Sequence, residues 1–303
     1  MNFEIVKSVL MATRPKFLLL SFAVILMPVS VAYYEQGGLK LLDVIFLFFG
    51  AIFAHIAVNL LNEYEDFKSG LDLTTVKTPF SGGSGALVES PNAAQSVLLG
   101  FVTSVVLLMA VGLYFVWTIG VSVMVFGVIG LLLIVTYTRF ITRMPWLCLF
   151  APGIAFGPLF VVGGYFVLTQ SISWLIVVLS MVPFFLANNL LLLNQIPDLE
   201  ADKKAGRYNV LMQIGTIDSL QVFAAFVWLA FICLGIAVWN FNLPDWVSLG
   251  FIPLLIAFPM LRDVQEYYEN IDKLLPALTM NVIINLLTPV LISVGFLLAM
   301  WQV

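Results

Sequence analysis

Long apolar segments separated by short polar ones run through almost the whole chain. A helix needs roughly 20 apolar residues to cross a bilayer, and nine segments of the sequence approach or exceed that length. They lie at about residues 16–34, 42–63, 93–116, 119–138, 146–168, 172–195, 219–240, 245–261 and 276–301. The pattern therefore predicts an all-α polytopic membrane protein with nine transmembrane helices in one bundle.

The composition agrees with this prediction. The 303 residues are 62% hydrophobic and 10% charged, with a mean hydropathy of +1.08, whereas a soluble domain carries about 25% charged residues. Because apolar segments leave no room for a separate soluble domain, we expect residues 1–303 to form one transmembrane domain. Because the start is amphipathic, we expect no cleavable signal before the first span. Cys148 and Cys233 lie in apolar segments without a metal-binding motif.

The 13 Lys and Arg residues are distributed very unevenly. Nine spans would place twelve of them on one side of the membrane and only Lys40 on the other. Loops rich in Lys and Arg stay in the cytoplasm. We therefore expect a multi-pass cell-membrane protein whose N-terminus is cytoplasmic and whose C-terminus lies outside. Most acidic residues fall on the cytoplasmic side as well, which places the polar chemistry there.

A polar stripe leads out of the second predicted span. Residues at helical spacing share one helix face, and here they are His55, Asn59, Asn62 and Asp66. Gly70 readily ends a helix, so we expect Asp72 to fold back towards Asp66. Amide and carboxylate oxygens are ligands that suit Mg²⁺. Glu63 and Glu65 lie off the stripe, and we expect both to be solvated. An ordinary solvated helix end is the alternative interpretation.

A second acidic motif leaves the sixth predicted span on the same side. Asn194, Asp198 and Asp202 are four residues apart and share one helix face, and Pro197 should kink the helix beside them. Two such motifs on one side are harder to explain as ordinary helix ends. They predict two clusters that face each other across a central cavity open to the cytoplasmic side.

Several buried carboxylates would repel one another, and a divalent cation relieves that repulsion. Mg²⁺ uses few protein ligands and commonly bridges to substrate phosphates, so the motifs indicate a diphosphate site. Nearby basic residues could contact the phosphates, although the positive-inside pattern alone also explains them: Lys77, Arg139, Arg143, Lys203, Lys204 and Arg207. The glycine-rich segment 77–90 could approach a phosphate, cover the cavity or be a plain loop.

These motifs resemble those of the UbiA family of membrane prenyltransferases over nearly the whole chain. The first reads Asn62-x-x-x-Asp66-x-x-x-x-x-Asp72, and the second reads Asp198-x-x-x-Asp202 followed by Gly206. The spacing of the first motif, and the opening ATRPKFL at residues 12–18, resemble the dihydroxynaphthoate branch of that family, which serves menaquinone synthesis. Glu63 and the segment after Gly206 depart from the family's common residues.

The resemblance implies transfer of a prenyl group from a polyprenyl diphosphate to an acceptor, most simply an aromatic one such as 1,4-dihydroxy-2-naphthoate. It makes Asp66 and Asp198 the catalytic candidates. Two Mg²⁺ ions that bridge the diphosphate would be held by Asn62, Asp66, Asp72, Asn194, Asp198 and Asp202. The stretch YTRFITR at residues 137–143 resembles a family segment near the diphosphate, so Tyr137, Arg139 and Arg143 are expected substrate contacts. Lys77, at the start of the glycine-rich segment, is the fourth. Membrane lipid is the expected surrounding, with no nucleic acid and no obligate protein partner.

Other functions remain as alternatives. Geranylgeranyl transfer to geranylgeranylglyceryl phosphate fits the same family pattern. An ion-coupled transporter also carries intramembrane acids, but these should lie near the midplane rather than at the helix ends found here. The D-G-x-x-A-R pattern of CDP-alcohol phosphotransferases is absent. A further polar stripe on the ninth span could line the cavity or join helices by hydrogen bonds: Asn281, Asn285 and Thr288.

Overall fold

A computed structural model describes residues 3–73, 78 and 82–301. Within these residues every regular element is helical. The α-helices are α1 Phe3–Ala12, α2 Pro15–Gln36, α3 Leu41–Ser69, α4 Ala86–Glu89, α5 Ala94–Ile119, α6 Met124–Tyr137, α7 Pro145–Ile154, α8 Gly163–Thr169, α9 Trp174–Lys204, α10 Val210–Ile214, α11 Thr216–Asn240, α12 Leu254–Tyr267 and α13 Ile271–Met300. A π-helix, Ala155–Val162, joins α7 to α8. Short 3-10 helices occupy Leu71–Leu73, Pro91–Ala93, Val121–Val123, Ile141–Arg143 and Asp245–Phe251.

Eight helical segments of the described chain are long and apolar enough to cross a membrane. They are Pro15–Gln36, Leu41–Ser69, Pro91–Ile119, Pro145–Thr169, Trp174–Lys204, Thr216–Asn240, Asp245–Tyr267 and Ile271–Met300. Each coincides with one of the predicted spans, so the prediction of a helical membrane protein is confirmed. The remaining prediction, 119–138, coincides with a shorter apolar helical segment, Val121–Tyr137.

The helices that carry the acidic motifs are longer than the apolar segments alone predict. Helix α3 continues past residue 63 to Ser69, where Gly70 adopts φ 78° and its N–H closes the last turn on Asp66 and Phe67 carbonyls. Glycine is the usual residue at such a left-handed helix end, and this prediction is confirmed. Helix α9 runs through Pro197 to Lys204. Asn62, Asp66 and the whole second motif therefore lie on the last three turns of continuous helices, whereas Asp72 follows the turn at Gly70.

The hydrophobic core fills one side of the bundle. It joins α2, α9, α11, α12 and α13 through fully buried side chains such as Met27, Leu179, Phe223 and Phe296. On the other side, α3, α5, α6 and α7 enclose the cavity described below. The bundle is therefore solid behind α9 and hollow between α9 and α3.

The polar stripe of α13 belongs to the solid side. Asn281 donates to the carbonyl of Asn189 on α9 at 3.1 Å, Asn285 donates to the Asn281 carbonyl at 3.0 Å, and Thr288 donates to the Ile284 carbonyl. None of the three lines the cavity. Of the two interpretations of this stripe, hydrogen bonding between helices applies to Asn281, whereas Asn285 and Thr288 bond within α13.

Candidate active site

A cavity of about 950 Å³ lies between the two acidic motifs and extends deep between α3, α5 and α6. Its polar end contains all six side chains that the sequence suggested as metal ligands: Asn62, Asp66, Asp72, Asn194, Asp198 and Asp202. Its deep end is lined by apolar residues, among them Phe46, Val111, Phe115 and Val123. The cavity thus offers a charged site that opens into an apolar chamber.

The first motif folds as its spacing indicated. Asp66 is on the last turn of α3, and the turn at Gly70 carries the chain into the short helix Leu71–Leu73, which holds Asp72. Asp72 is only 4% exposed, and no described residue hydrogen-bonds its Oδ2 atom. Burial, together with the nearby carboxylates of Glu63 and Asp66, raises the pKa of Asp72 to about 7. A cation bound at this carboxylate would stabilise its charged form and offset the effect of burial and of the neighbouring carboxylates.

The second motif faces the first from α9. Asn194, Asp198 and Asp202 all line the cavity. Asn194 is half-buried, and its buried Oδ1 atom has no hydrogen-bond partner among the described residues. Oδ2 of Asp198 accepts a hydrogen bond from the backbone N–H of Gly82 at 3.2 Å. The glycine-rich segment therefore reaches across the cavity and contacts the second motif.

Arg207 lies between the two motifs. Its guanidinium donates through Nη2 to Asp66 Oδ1 on the first motif and through Nη1 to Asp202 Oδ1 on the second at 3.1 Å. Its side chain is only 19% exposed. Burial alone would lower the pKa of Arg207, but the carboxylates of Asp66 and Asp202 outweigh burial and raise it, so this group is a permanent cation.

The expectation that Glu63 is solvated is wrong. Glu63 is fully buried, because residues 82–85 pack over this face of α3. Its carboxylate accepts hydrogen bonds from Ser84 Oγ at 2.6 Å and from Ser84 N at 3.1 Å, and Arg14 Nη2 lies 3.4 Å away. Glu63 thus holds the glycine-rich segment against the helix that carries the first motif. Glu65 is also not free in solvent, since it accepts a hydrogen bond from Arg139 at 2.7 Å.

The four suggested substrate contacts are placed differently from one another. Tyr137 lines the cavity. Arg139 and Arg143 do not line it, because Glu65 holds the guanidinium of Arg139 at the surface and Arg143 is exposed. This placement argues against a direct contact between either arginine and a ligand in the cavity. Lys77 lies outside the described residues.

Two residues that were not chosen from the sequence also lie at the site. Arg14 occupies the break between α1 and α2 with φ 52°, and it lines the cavity. Its Nε atom has no hydrogen-bond partner in the described chain. Arg207 was recognised only as one of several basic loop residues. A basic residue directly after a glycine at a helix end was the available signal, since that turn returns the chain towards its own helix.

The donor set suits Mg²⁺ shared with a phosphate. Among the residues that the structure describes, no three acidic, His or Cys side chains converge closely enough to form a complete metal site by themselves. The oxygens Asp72 Oδ2 and Asn194 Oδ1 nevertheless have no hydrogen-bond partner among the described residues, so their lone pairs could bind a cation. Mg²⁺ is typically bound through one or two carboxylates plus substrate phosphates and water, which agrees with both observations.

Comparison with known proteins decides the family. Residues 19–285 match the model of the UbiA prenyltransferase family. The chain belongs to the UbiA family. The 1,4-dihydroxy-2-naphthoate octaprenyltransferase of Bacillus subtilis is 30% identical over 73% of this chain and 70% of its own length. The enzyme with the same name from Escherichia coli is 24% identical over 95% of this chain and 94% of its own length.

Solved structures agree on the fold of this UbiA family member. A UbiA homologue from Aeropyrum pernix K1 superposes with a TM-score of 0.71 at 15% identity, over 93% of this chain and 98% of that one. A homologue from Archaeoglobus fulgidus, bound to GPP and Mg²⁺, superposes with a TM-score of 0.63 at 15% identity, over 94% of this chain and 99% of that one. With its apolar helices, family membership makes this chain an integral membrane prenyltransferase.

Proposed function

We propose that this protein transfers a polyprenyl group from its diphosphate to 1,4-dihydroxy-2-naphthoate with the help of Mg²⁺. The chain length that we propose is octaprenyl. The observation that carries the proposal is the facing pair of acidic motifs at the polar end of a long apolar cavity. The bacterial relatives named as naphthoate octaprenyltransferases support the acceptor and the chain length.

The two motifs would hold the diphosphate end of the substrate. We propose that Asn62, Asp66 and Asp72 bind one Mg²⁺ and that Asn194, Asp198 and Asp202 bind a second. The A. fulgidus homologue, whose structure holds GPP and Mg²⁺, supports the choice of ion. When bound, Mg²⁺ would neutralise the negative charge that develops on the leaving diphosphate. Asp66 and Asp198 occupy the centre of each motif and are the carboxylates on which this arrangement depends most.

The apolar part of the cavity would bind the prenyl chain. Apolar side chains on α3, α5 and α6 surround the space beyond the acids, so they can bind an isoprenoid tail and keep water from the carbon that the diphosphate leaves. As the bond between that carbon and the diphosphate oxygen breaks, the diphosphate leaves with the bonding electrons and an electron-rich ring carbon of the acceptor forms the new bond. That ring carbon then releases the group it carried, a proton from an unsubstituted position or CO₂ from the carboxyl-bearing position, which restores the aromatic ring. Arg14, Tyr137 and Arg207 line the polar end and can orient the diphosphate.

We also propose the membrane arrangement that the loop charges indicate. The segment Val121–Tyr137 would be a ninth span, since 17 residues are within the range that crosses a bilayer. The N-terminus would then be cytoplasmic, the C-terminus external and the polar end of the cavity cytoplasmic. Residues 1–303 would form one domain. Lipid would cover exposed apolar side chains such as Leu99 and Trp117.

A panel of acceptors tests the reaction. Purified protein in detergent would receive octaprenyl diphosphate, Mg²⁺ and one acceptor at a time: 1,4-dihydroxy-2-naphthoate, 4-hydroxybenzoate, homogentisate or geranylgeranylglyceryl phosphate. We expect a product with the mass of the prenylated naphthoate or of that product after loss of CO₂. Product only with geranylgeranylglyceryl phosphate would reassign the acceptor, and no product with any acceptor would overturn the proposal.

A further inference from the structure

The two acidic motifs are held together by one arginine in this structure. Helix α3 packs mainly on α2 and α5, and α9 packs mainly on α7, α11 and the π-helix, so the motif ends face each other across the cavity. Arg207 donates to Asp66 from the first motif and to Asp202 from the second. We call these three residues the Arg207 bridge.

The local sequence directs Arg207 into this position. Gly206 adopts φ 74° directly after α9, a left-handed conformation that glycine reaches without strain. The chain then turns back, and the N–H of Arg207 donates to the carbonyl of Asp202 at 3.0 Å. Asn209, which caps α10 through Met212 N at 3.1 Å, lies 3.5 Å from the other carboxylate oxygen of Asp202. The backbone thus fixes where the guanidinium can reach.

A guanidinium and a divalent cation can each neutralise the charge of two facing carboxylates. Buried carboxylates that face each other need a positive charge between them, and the planar guanidinium satisfies two of them at once. A metal ion bound through Asp66 Oδ1 or Asp202 Oδ1 would need the same lone pairs. Arg207 and the metal therefore compete for these oxygens, whereas Asp72 Oδ2 has no described partner to lose.

A diphosphate changes that competition. Phosphate oxygens accept bidentate hydrogen bonds from a guanidinium, and Arg207 lines the cavity where the diphosphate would lie. Once the diphosphate is present, Arg207 can leave the carboxylates without losing its partner. Metal and diphosphate then strengthen each other's binding, because each removes an obstacle to the other.

We propose that Arg207 is a built-in counter-ion that occupies the acidic motifs before substrate arrives and makes metal binding depend on the diphosphate. The protein would then bind the divalent cation poorly alone and well together with a diphosphate. Arg207 is in this sense a positioning residue for the metal. The inference rests on the proposed metal–diphosphate function of the site.

The test measures binding rather than turnover. Mn²⁺, which is visible by electron paramagnetic resonance, would be titrated into metal-free protein with and without inorganic pyrophosphate, in wild type, Arg207→Gln and Arg207→Lys. In wild type we expect pyrophosphate to tighten Mn²⁺ binding by about 5–150-fold, the usual range of coupling between sites, after correction for Mn²⁺ bound by free pyrophosphate. Arg207→Gln should bind Mn²⁺ alone several-fold more tightly than wild type and lose most of the coupling.

The matched control is Arg262→Gln, which removes an arginine from an exposed pair with Asp263 and should behave as wild type. Arg207→Lys keeps the charge but not the planar two-armed donor, so its values should lie between those of wild type and Arg207→Gln. Equal or weaker Mn²⁺ binding by both Arg207 variants would overturn the proposal. If Arg207→Gln does not fold, absence of coupling in wild type still overturns it. A wild type that couples Mn²⁺ and pyrophosphate but forms no prenylated product would instead contradict the proposed function alone.

Discussion

The carboxylates at the polar end of the cavity differ in what neutralises them. Asp66 and Asp202 share the cationic Arg207, and the backbone N–H of Gly82 donates to Asp198. Asp72 is buried with one oxygen to which no described residue donates a hydrogen bond, and its pKa is raised to about 7. Among the described residues, Asp72 therefore keeps a carboxylate oxygen that a cation could bind.

Replacing Asp198 or Asp66 by Ala should abolish prenyl transfer. Each change removes a carboxylate that we propose to hold metal against the diphosphate, and loss of such electrostatic stabilisation costs on the order of 100-fold or more in rate. Product formation would be measured on protein that elutes as a single symmetric peak. Asp263→Ala, in a pair with Arg262 away from the cavity, is the control. Full activity of either cavity variant would rule out its proposed role.

Glu63→Gln should destabilise the protein. Glu63 is buried and accepts two hydrogen bonds from Ser84 beside Arg14, and damaging a buried, charged hydrogen-bond network costs about 1–3 kcal/mol. The unfolding temperature would be measured by scanning fluorimetry. Glu89→Gln, at an exposed residue of the same loop region, should leave that temperature nearly unchanged. Equal unfolding temperatures for the two variants would mean that Glu63 does not hold the segment.

The spacing of acids and amides predicted six side chains that all line the cavity, because a helix fixes the face on which each side chain lies. It could not predict the burial of Glu63. That burial depends on residues 82–85, which return over α3 from a loop whose path is not encoded in helical spacing. For the same reason, the sequence offered Arg139 and Arg143 as phosphate contacts, although Glu65 holds Arg139 at the surface.

At the scale of elements, α6 forms one wall of the cavity. Its polar end carries Tyr137, and Gly130 lies seven residues away on the same helix, about 10 Å deeper. Both line the cavity. A Cβ atom added at position 130 would lie 3.9 Å from Leu159 Cδ1, which is an ordinary van der Waals contact. A larger side chain there would project into the space proposed for the prenyl tail. Glycine at this position keeps the chamber open.

Gly130→Phe should shorten the prenyl chain that the enzyme accepts. We expect transfer from octaprenyl diphosphate to fall at least about tenfold, because loss of about 1.4 kcal/mol of tail binding already has that effect. Transfer from dimethylallyl diphosphate, whose short chain ends before this depth, should be retained. Relative rates would be read from product masses in a mixed-substrate assay. Leu132→Phe, on the exposed face of α6, is the control, and an unchanged chain-length profile in Gly130→Phe would contradict the placement of the tail.

The elements themselves were largely predictable, because a bilayer demands long apolar helices. The boundaries were less so. Helix α3 and α9 extend well beyond their apolar segments, to Ser69 and Lys204, since helical hydrogen bonding continues until a residue such as Gly70 ends it. The π-helix Ala155–Val162 had no signal that hydropathy could reveal.

At the scale of the whole molecule, the bundle has a solid side and a hollow side. The core of α2, α9, α11 and α13 contains large side chains that are fully buried, whereas α3, α5 and α6 enclose the cavity. Hydropathy predicts which segments are helices but not which helices pack against each other, so the solid and hollow sides could not be predicted from it. Loop charges do predict an orientation for the polar end.

The proposed orientation can be tested by cysteine labelling in cells. In a background with Cys148→Ser and Cys233→Ser, the exposed residues Gln36 and Lys273 would each be changed to Cys. A membrane-impermeant maleimide should label Gln36→Cys in intact cells, and Lys273→Cys only after permeabilisation, because the positive-inside rule keeps the Lys273 loop in the cytoplasm. The reverse pattern would invert the topology.

The central claim is that the facing acidic motifs use Mg²⁺ to transfer an octaprenyl group to 1,4-dihydroxy-2-naphthoate. The most direct measurement is product mass from purified protein, octaprenyl diphosphate and the naphthoate, first in excess EDTA and then after Mg²⁺ is restored. The account predicts no prenylated naphthoate in EDTA, and its appearance with Mg²⁺ in wild type but not in Asp198→Ala. Equal product in EDTA and in Mg²⁺, or none under any condition, would contradict it.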